Sequence, residues 1–267
     1  MSFFGKTFDY LDFFQYFCTL KLIFNKMNLI IDAGNTCLKL AAYKGDDPVE
    51  ISRMDYDEVE KFERFAASYP FRRGIVSSVV DIPQAIEERI KALPFEVVRL
   101  VPGETPVPLR ILYATPKTLG ADRLAAAVGA YAKAGGRDVL VIDIGTCITY
   151  DFVNAEGEYV GGNISPGPRL RLKALNDFTA RLPLVSRHGD TPEMGNTTET
   201  AIRSGVVNGI RREIEGYISD FLLKYPRLFV YLTGGVHLDL HISEKMRIFA
   251  DDFIVPYGLN RILEYKN

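Results

Sequence analysis

Two acidic residues share one sequence setting, in which a short apolar run leads into an acid, a glycine and a threonine. Asp143 lies in the segment VLVIDIGTCITYD, and Asp32 lies in the segment LIIDAGNTCLK. Apolar, β-branched runs of this length are typical of strands buried on both faces. A tight turn after such a strand binds phosphate through backbone amides and a divalent cation through a carboxylate. Both segments therefore predict phosphate and cation chemistry at the end of a strand.

The two acids are 111 residues apart, and the likeness of the segments around them indicates an internal repeat. We therefore expect two similar lobes, each presenting an Asp-containing turn to a shared cleft. A third turn of this kind follows the run LFVYL, where Thr233, Gly234 and Gly235 come in succession. A glycine turn at this place is suited to lie flat against a nucleoside.

A further pair of charged residues opens the alanine-rich helix predicted after Gly120. Asp122 has an ordinary explanation there, because a carboxylate at a helix N-terminus interacts favourably with the helix dipole. Arg123 is less expected, since cations are favoured at the opposite end of a helix. Its position suggests a bound anion, most simply a carboxylate held by the guanidinium fork.

The elements that must position these residues follow from periodicity and from turn residues. Before Gly120, the pattern predicts strands over 29–32, 37–43, 73–80 and 96–100, a turn over 45–48, and helices over 56–69 and 82–91. After the helix closed by Gly135 and Gly136, it predicts a hairpin through 154–157 and a helix over 169–179. A loop over 195–205 then enters a helix that continues to 225, and a strand follows over 228–232. The chain is expected to end, over 254–263, as strand, turn and helix.

Three features leave alternatives open. The glycine-rich segment 161–168 is predicted as a loop that either allows close approach of a ligand or neighbouring chain, or is an ordinary turn. Thr197 or Thr198 either caps the following helix or contacts a ligand. His237 and His241 are four residues apart with no third ligand in view, so polar helix or turn residues are favoured over a metal site.

Composition narrows the function classes. The chain has 267 residues, 47% of them apolar and 25% charged, and a net charge of −2. It contains no block of five like charges, which argues against nucleic acid as a partner. Cys18, Cys37 and Cys147 form no CxxC pair and are expected to be reduced, buried cysteines of a cytoplasmic protein.

Residues 1–26 are crowded with aromatic residues and have no clean period. They match neither a secretory signal nor a membrane span, because Asp9 and Asp12 interrupt them and the longest uncharged run is too short. We interpret them as a non-native or disordered leader before a natural start at Met27.

Six segments together resemble the ordered motif set of type III pantothenate kinases, which belong to the actin-like superfamily of acetate and sugar kinases. They are DAGNTCLK at 32–39, YATPKTLGADR at 113–123, DIGTCITYD at 143–151, GGNISPG at 161–167, GNTTETAIRSG at 195–205 and LTGGV at 232–236. The resemblance runs from Met27 to the C-terminus. It implies an α/β fold with two similar ribonuclease H-like lobes, over 27–134 and 135–267, and a nucleotide cleft between them.

The same resemblance implies ATP-dependent phosphorylation of pantothenate to 4′-phosphopantothenate, with Mg²⁺ and a monovalent cation, K⁺ or NH₄⁺. Asp122 matches the proton acceptor, and Asp143 matches the monovalent-cation ligand. The pantothenate-binding positions match Tyr113, Gly120, Ala121, Asp122, Arg123 and Thr198. The ATP-binding positions match Asp32, Ala33, Gly34, Asn35, Thr36, Cys37, Leu38, Lys39 and Thr146.

The family also builds its pocket at a homodimer interface, for which the glycine-rich segment 161–167 is suited. Departures from the pattern are small: Ala33 replaces a common isoleucine, and Cys147 and Ile148 stand where small residues are usual. Two other functions remain open from the sequence alone. One is another actin-like small-molecule kinase, although no sugar-binding constellation stands out. The other is a nucleotide-binding regulator of transcription, which could dispense with Asp122 and Arg123.

Overall fold

A computed structural model describes residues 27–235 and 247–265 of the chain. The predicted leader, Cys18, the two histidines at 237 and 241, and the last residue of the LTGGV motif lie outside the described residues. In the described part, no helix is both long enough and apolar enough to cross a membrane.

The first sheet has five strands in the spatial order β3-β2-β1-β4-β5. Its strands are β1 (Met27–Ala33), β2 (Leu38–Lys44), β3 (Asp47–Met54), β4 (Phe71–Ser78) and β5 (Glu96–Arg99), and its helices are α1 (Val59–Ala67) and α2 (Gln84–Lys91). The first three strands form an antiparallel meander, and β4 and β5 add to β1 in parallel. Helix α1 buries Phe62 and Phe65 against the face of this sheet that is turned away from the second sheet. The two residues are three apart, as is typical of the apolar face of an amphipathic helix.

The second sheet has six strands in the order β11-β10-β7-β8-β9-β6. These are β6 (Arg110–Ile111), β7 (Val139–Ile144), β8 (Cys147–Val153), β9 (Glu158–Pro166), β10 (Phe229–Thr233) and β11 (Arg247–Ala250). The helices are α3 (Ala121–Lys133), α4 (Pro168–Asp177), α5 (Thr198–Lys224) and α6 (Ile254–Tyr265), with a 3₁₀ turn at Pro116–Thr118.

The two sheets repeat one topology. In each, an antiparallel meander of three strands is followed by two strands parallel to the first, so β7 to β11 correspond to β1 to β5. The predicted internal repeat is therefore confirmed. The short strand β6 has no counterpart and extends the second sheet at β9.

Helices α3 and α6 pack against each other in the apolar core between the sheets. Their backbones touch at two glycines, because a Cβ on Gly129 would lie 2.3 Å from the Ile254 carbonyl oxygen and a Cβ on Gly258 would lie 1.8 Å from that of Ala125. Although α6 comes last in the chain, it bonds to the first sheet: Asn28 Nδ2 donates to Asn260 Oδ1 at 2.7 Å. The proposed lobe boundary between residues 134 and 135 stays a prediction. Strand β6 precedes this boundary but pairs with the second sheet, and helix α6 follows it but contacts the first sheet.

Several local predictions were wrong. Segment 161–168 is mostly strand, since β9 runs through Pro166, and residues 254–265 form one helix, with the last strand, β11, ending before it at Ala250. Pro256 falls in the first turn of α6, where its missing N–H is not needed. Strand β3 was missed because it is a largely exposed edge strand that contains Pro48 and charged residues. Cys37 and Cys147 are free thiols, as expected, but half-buried.

Candidate active site

Two rows of polar side chains line the inner faces of the sheets where β1 and β7 end. In the first sheet, Asp32 is the register partner of Lys39 on β2 and of Ser77 on β4. Partners in register point to the same face of a sheet. That face looks towards the other sheet, because Ile30, two residues before Asp32, lies in the core between the sheets.

The second sheet repeats this row with other residues. Asp143 is the register partner of Thr149 on β8 and of Thr233 on β10. Val141, two residues earlier on β7, lies in the same inter-sheet core as Ile30. The two strand-end acids found in the sequence therefore occupy equivalent positions and face the same space.

The turns after the two acids are also alike. Gly34 N donates to the Cys37 carbonyl oxygen at 3.2 Å, and Gly145 N donates to that of Cys147 at 2.9 Å. Thr36 and Thr146 are exposed residues of these turns. Gly167 closes the second turn, because its N–H donates to the Thr146 carbonyl oxygen at 3.0 Å.

Glycines hold this region together by allowing backbone contact. A Cβ on Gly167 would lie 2.2 Å from the Gly145 carbonyl oxygen. Gly234, at φ +103°, packs against Asp143, and a Cβ there would lie 2.6 Å from its Oδ1. Close approach within the chain therefore accounts for both glycines, and the predicted nucleoside contact of the turn at 233–235 stays a prediction.

Burial and mutual repulsion perturb the acids. Burial raises the pKa of Asp143 to about 6; Lys39 opposes this shift, and Asp122 and Asp32 add to it. The pKa of Asp32 is also raised by burial, against the effect of Lys39 and with that of Asp122. Lys39 Nζ lies 3.6 Å from Asp32 Oδ2. Three carboxylates thus share a region with one ammonium group, and the surplus of negative charge favours a bound cation.

Asp122 lies at the start of α3, as predicted. It is half-buried, and its Oδ1 accepts a hydrogen bond from Arg123 N at 2.8 Å. Gly120, the residue before the helix, has no side chain to cap it, and a Cβ there would lie 2.6 Å from Asp122 Oδ1. The Asp122 carboxylate therefore lies at the N-terminus of α3, and its charge acts on both strand-end acids.

Arg123 has an internal partner that the sequence did not reveal. Its Nε lies 3.0 Å and its Nη2 2.8 Å from Asp151 Oδ1, and the exposed fractions are 6% for Arg123 and 1% for Asp151. Tyr159 donates to the same Asp151 oxygen at 2.5 Å. Tyr113 lies beside this group, since its ring centre is 6.1 Å from that of Tyr159.

Thr198 is the first residue of α5 and is exposed. The helix is capped by Thr197, whose hydroxyl accepts from Thr200 N at 3.1 Å while Thr200 Oγ1 accepts from Thr197 N at 3.0 Å. The capping alternative therefore holds for Thr197. Within the described residues, no hydrogen bond joins Thr198 to the other predicted site residues.

The donor set suits some metals and not others. Among the described residues, no three His, Cys, Asp or Glu side chains converge to hold a metal ion by themselves. Mg²⁺ in phosphoryl-transfer sites is held by one or two carboxylates together with substrate phosphates. Asp32 is a carboxylate suited to a cation of this kind, held together with a polyphosphate, and Asp143 offers a second carboxylate for a cation.

Comparison with known sequences decides the family. The family model of type III pantothenate kinase matches residues 28–220. The chain belongs to the type III pantothenate kinases. The type III pantothenate kinase of Phocaeicola vulgatus is 49% identical over 241 residues, covering 90% of this chain and 99% of that relative. As a member of this family, the chain is a kinase of the phosphotransferase class.

Solved structures of distant relatives agree on the fold. A protein assigned to the Baf family of transcriptional activators, from Campylobacter jejuni, has a TM-score of 0.58 at 19% identity and covers 89% of this chain and 98% of its own. The activator of 2-hydroxyisocaproyl-CoA dehydratase from Clostridium difficile, solved with ADPNP, has a TM-score of 0.50 at 14% identity and covers 89% of this chain and 93% of its own. These likenesses confirm the actin-like α/β fold and concern the fold alone.

Proposed function

We propose that this chain transfers the γ-phosphoryl group of ATP to the 4′-hydroxyl of pantothenate, the first step of coenzyme A biosynthesis, in the cytoplasm. The observation that carries the proposal is the position of Asp122. It stands in the first turn of α3, and its charge raises the pKa of both strand-end acids, Asp32 and Asp143. A carboxylate there is within reach of an acceptor hydroxyl beside a polyphosphate.

On the nucleotide side, the segment from Asp32 to Lys39 and the hydroxyl of Thr146 bind the phosphates of ATP. Lys39 neutralises part of their charge once it turns from Asp32 towards them. Asp32 would hold Mg²⁺ and Asp143 a monovalent cation, K⁺ or NH₄⁺, and both ions would supply charge neutralisation for the polyphosphate. The surplus of carboxylates over ammonium groups supports these two assignments.

On the acceptor side, Asp122 orients the hydroxyl of pantothenate and accepts its proton. Phosphoryl transfer passes through a loose transition state, so the hydroxyl needs positioning more than early deprotonation. Pantothenate is bound by a further set of residues: Tyr113, Gly120, Ala121, Arg123 and Thr198. The guanidinium of Arg123 binds its carboxylate.

We also propose a homodimer, with the pocket completed at the interface. Large apolar side chains on and near β9 and α4 support it, since the exposed fraction is 63% for Ile164, 87% for Phe178 and 65% for Leu184. Exposed apolar surface of this kind is typical of protein interfaces. Light scattering on active protein should give twice the monomer mass of 30.0 kDa, and a fully active monomer would refute the dimer.

The deciding assay measures ATP-dependent formation of 4′-phosphopantothenate from pantothenate in potassium and in sodium buffers. We expect product in both with Mg²⁺, and a higher rate with K⁺. The Asp122→Asn variant, checked for folding by circular dichroism, is the control for a contaminating kinase. Absence of product with folded protein, or turnover of sugars in preference to pantothenate, would exclude the proposed function.

A further inference from the structure

Arg123 is held on one side by Asp151 and Tyr159, which are not among the predicted site residues. Asp151 receives hydrogen bonds from Nε and Nη2, and Nη2 also lies 3.3 Å from the Tyr159 hydroxyl oxygen. Nη1 takes part in none of these bonds. Asp151 and Tyr159 therefore fix the edge of the guanidinium that carries Nε and Nη2. They leave Nη1 for another partner.

We propose that Asp151 and Tyr159 are positioning residues that orient Arg123 towards the carboxylate of pantothenate. The inference rests on the proposed function and deepens it, because it names what sets the specificity of the acceptor site for an acid. A long, flexible arginine side chain binds a planar carboxylate well only when its own orientation is restricted beforehand.

Burial makes the arrangement stiff. Tyr159 is completely buried and Asp151 nearly so, and the Tyr159 O–H is already donated to Asp151 Oδ1 at 2.5 Å. The strand glycine Gly162 adjoins the pair, since a Cβ there would lie 2.7 Å from both Arg123 Nη2 and Asp151 Oδ1. Neither partner can move far without breaking a buried charged hydrogen bond, which is costly.

Charge gives a second argument. Asp151 balances Arg123, so the site does not carry a net positive charge that would attract anions of every shape. Recognition then depends on hydrogen-bond geometry at the guanidinium. A site built in this way rejects an analogue that lacks the hydrogen-bonding group, because its own polar atoms are left unpaired.

The test compares pantothenate with panthenol, in which a hydroxymethyl group replaces the carboxylate. The KM for pantothenate, the kcat and the competitive inhibition constant of panthenol are measured for the parent, Asp151→Asn and Tyr159→Phe. We expect the KM for pantothenate to rise about 3–10-fold in Tyr159→Phe and about 10–100-fold in Asp151→Asn, the usual worth of a hydrogen bond to a charged group. The panthenol constant should change by less than about twofold, since panthenol does not use the oriented guanidinium.

Tyr150→Phe is the matched control. Tyr150 is also a buried tyrosine of this sheet that donates to a carboxylate, Glu213 Oε1 at 2.8 Å, but its side chain lies in the core on the other face. It should leave both constants unchanged. If Asp151→Asn does not fold, Tyr159→Phe, which keeps the ring, still decides the matter.

Equal changes for pantothenate and panthenol, or a Tyr159→Phe variant that behaves like Tyr150→Phe, would overturn the inference and leave the proposed function standing. A folded parent protein that does not phosphorylate pantothenate would overturn the proposed function, and this inference with it.

Discussion

Lys39 and Asp32 are cross-strand partners on β2 and β1, and Lys39 Nζ lies 3.6 Å from Asp32 Oδ2. Lys39 lowers the pKa of both Asp32 and Asp143, in each case against a larger effect of burial. It is thus the cation that offsets part of the effect of burial on both acids before any nucleotide is bound.

Lys39→Met should therefore destabilise the protein in a pH-dependent way. Without the ammonium group, the pKa of both acids is raised further in the folded state. Their ionisation then costs more folding free energy, and this loss of stability increases as the pH rises and the acids ionise. We expect a loss of about 1–3 kcal/mol at pH 8 and a smaller loss at pH 5. Thermal denaturation at the two pH values measures it, with Lys44→Met, an exposed lysine on the same strand, as control. An equal loss at both pH values would contradict the prediction.

Asp122→Asn should separate catalysis from folding. The amide oxygen of asparagine can still accept the hydrogen bond from Arg123 N, so the helix start is preserved, but the group cannot take up a proton. We expect kcat to fall by about 10²–10⁴-fold, towards the lower end because the transition state is loose, with a modest change in KM. Steady-state kinetics on folded protein provide the measurement. A variant with near-parental kcat would reduce Asp122 to a helix-start residue.

Arg123→Ala should be judged by stability before activity. The substitution leaves the Asp151 carboxylate, 1% exposed, without its cation. Removing one partner of a buried ion pair costs about 3–5 kcal/mol, so we expect a clear drop in the urea midpoint.

Arg64→Ala provides the comparison for Arg123→Ala. Arg64 pairs with Glu60 at 3.8 Å with both side chains largely exposed, and its loss should cost less than about 1 kcal/mol. Similar losses in the two variants would show that the Arg123–Asp151 pair is not a buried ion pair in solution.

Asp143 gives the site a pH dependence. Its pKa in the folded chain is about 6, above its ordinary value of 3.8, so the folded state keeps a proton that the unfolded chain releases. The stability that this proton contributes is fully present below about pH 4 and is lost as the pH rises through about 6. Asp143→Asn should therefore raise the free energy of unfolding at pH 8, in a buffer without potassium, sodium or ammonium. We expect about 1–2 kcal/mol, less than the full shift because water screens a half-buried group.

The same titration should govern the cation. Below pH 6 a proton competes for Asp143, so the potassium concentration needed for half-activation should increase as the pH falls. Asp143→Asn should abolish this dependence. Equal rates of the parent protein in sodium-only and potassium buffers would remove the reason for assigning a monovalent cation to Asp143.

Ser77 is the register partner of Asp32 on β4, and its hydroxyl offers a test of the polar row of the first sheet. Its hydroxyl is fully buried and has no hydrogen-bond partner among the described residues, which is also true of Ser204 on α5. Because an unpaired buried hydroxyl is costly, Ser77→Ala should leave the free energy of unfolding unchanged or raise it by up to about 1 kcal/mol. Ser204→Ala should do the same. A loss above 1 kcal/mol in chemical denaturation would reveal a partner for the Ser77 hydroxyl.

What the sequence could predict was local. The positions of Asp32 and Asp143 followed from apolar runs and turn residues, and the start of α3 at Asp122 followed from composition. The correspondence of the two sheets followed from the repeat of the turns. Each of these depends on neighbours in the chain, and each appears in the fold where it was expected.

What the sequence could not predict depends on distant contacts. Arg123 and Asp151 are 28 residues apart, and nothing in either segment indicates that they pair. Asp151 occupies an inner-face position of β8, two residues after Thr149, and an acid in such a position was the available signal. The glycines of β9 suggested a loop, whereas Gly162 is required because the Tyr150 carbonyl oxygen would lie 2.0 Å from a Cβ there.

The placement of helix α6 also bears on synthesis of the chain. The first sheet contains residues 27–99, but the helix that contacts its inner face begins at Ile254. A ribosome therefore has to release nearly the whole polypeptide before Asn28 can meet Asn260. Such distant pairing slows folding and prolongs the exposure of apolar surface. The nascent first sheet is consequently the part of the described chain whose apolar inner face waits longest for its cover during synthesis.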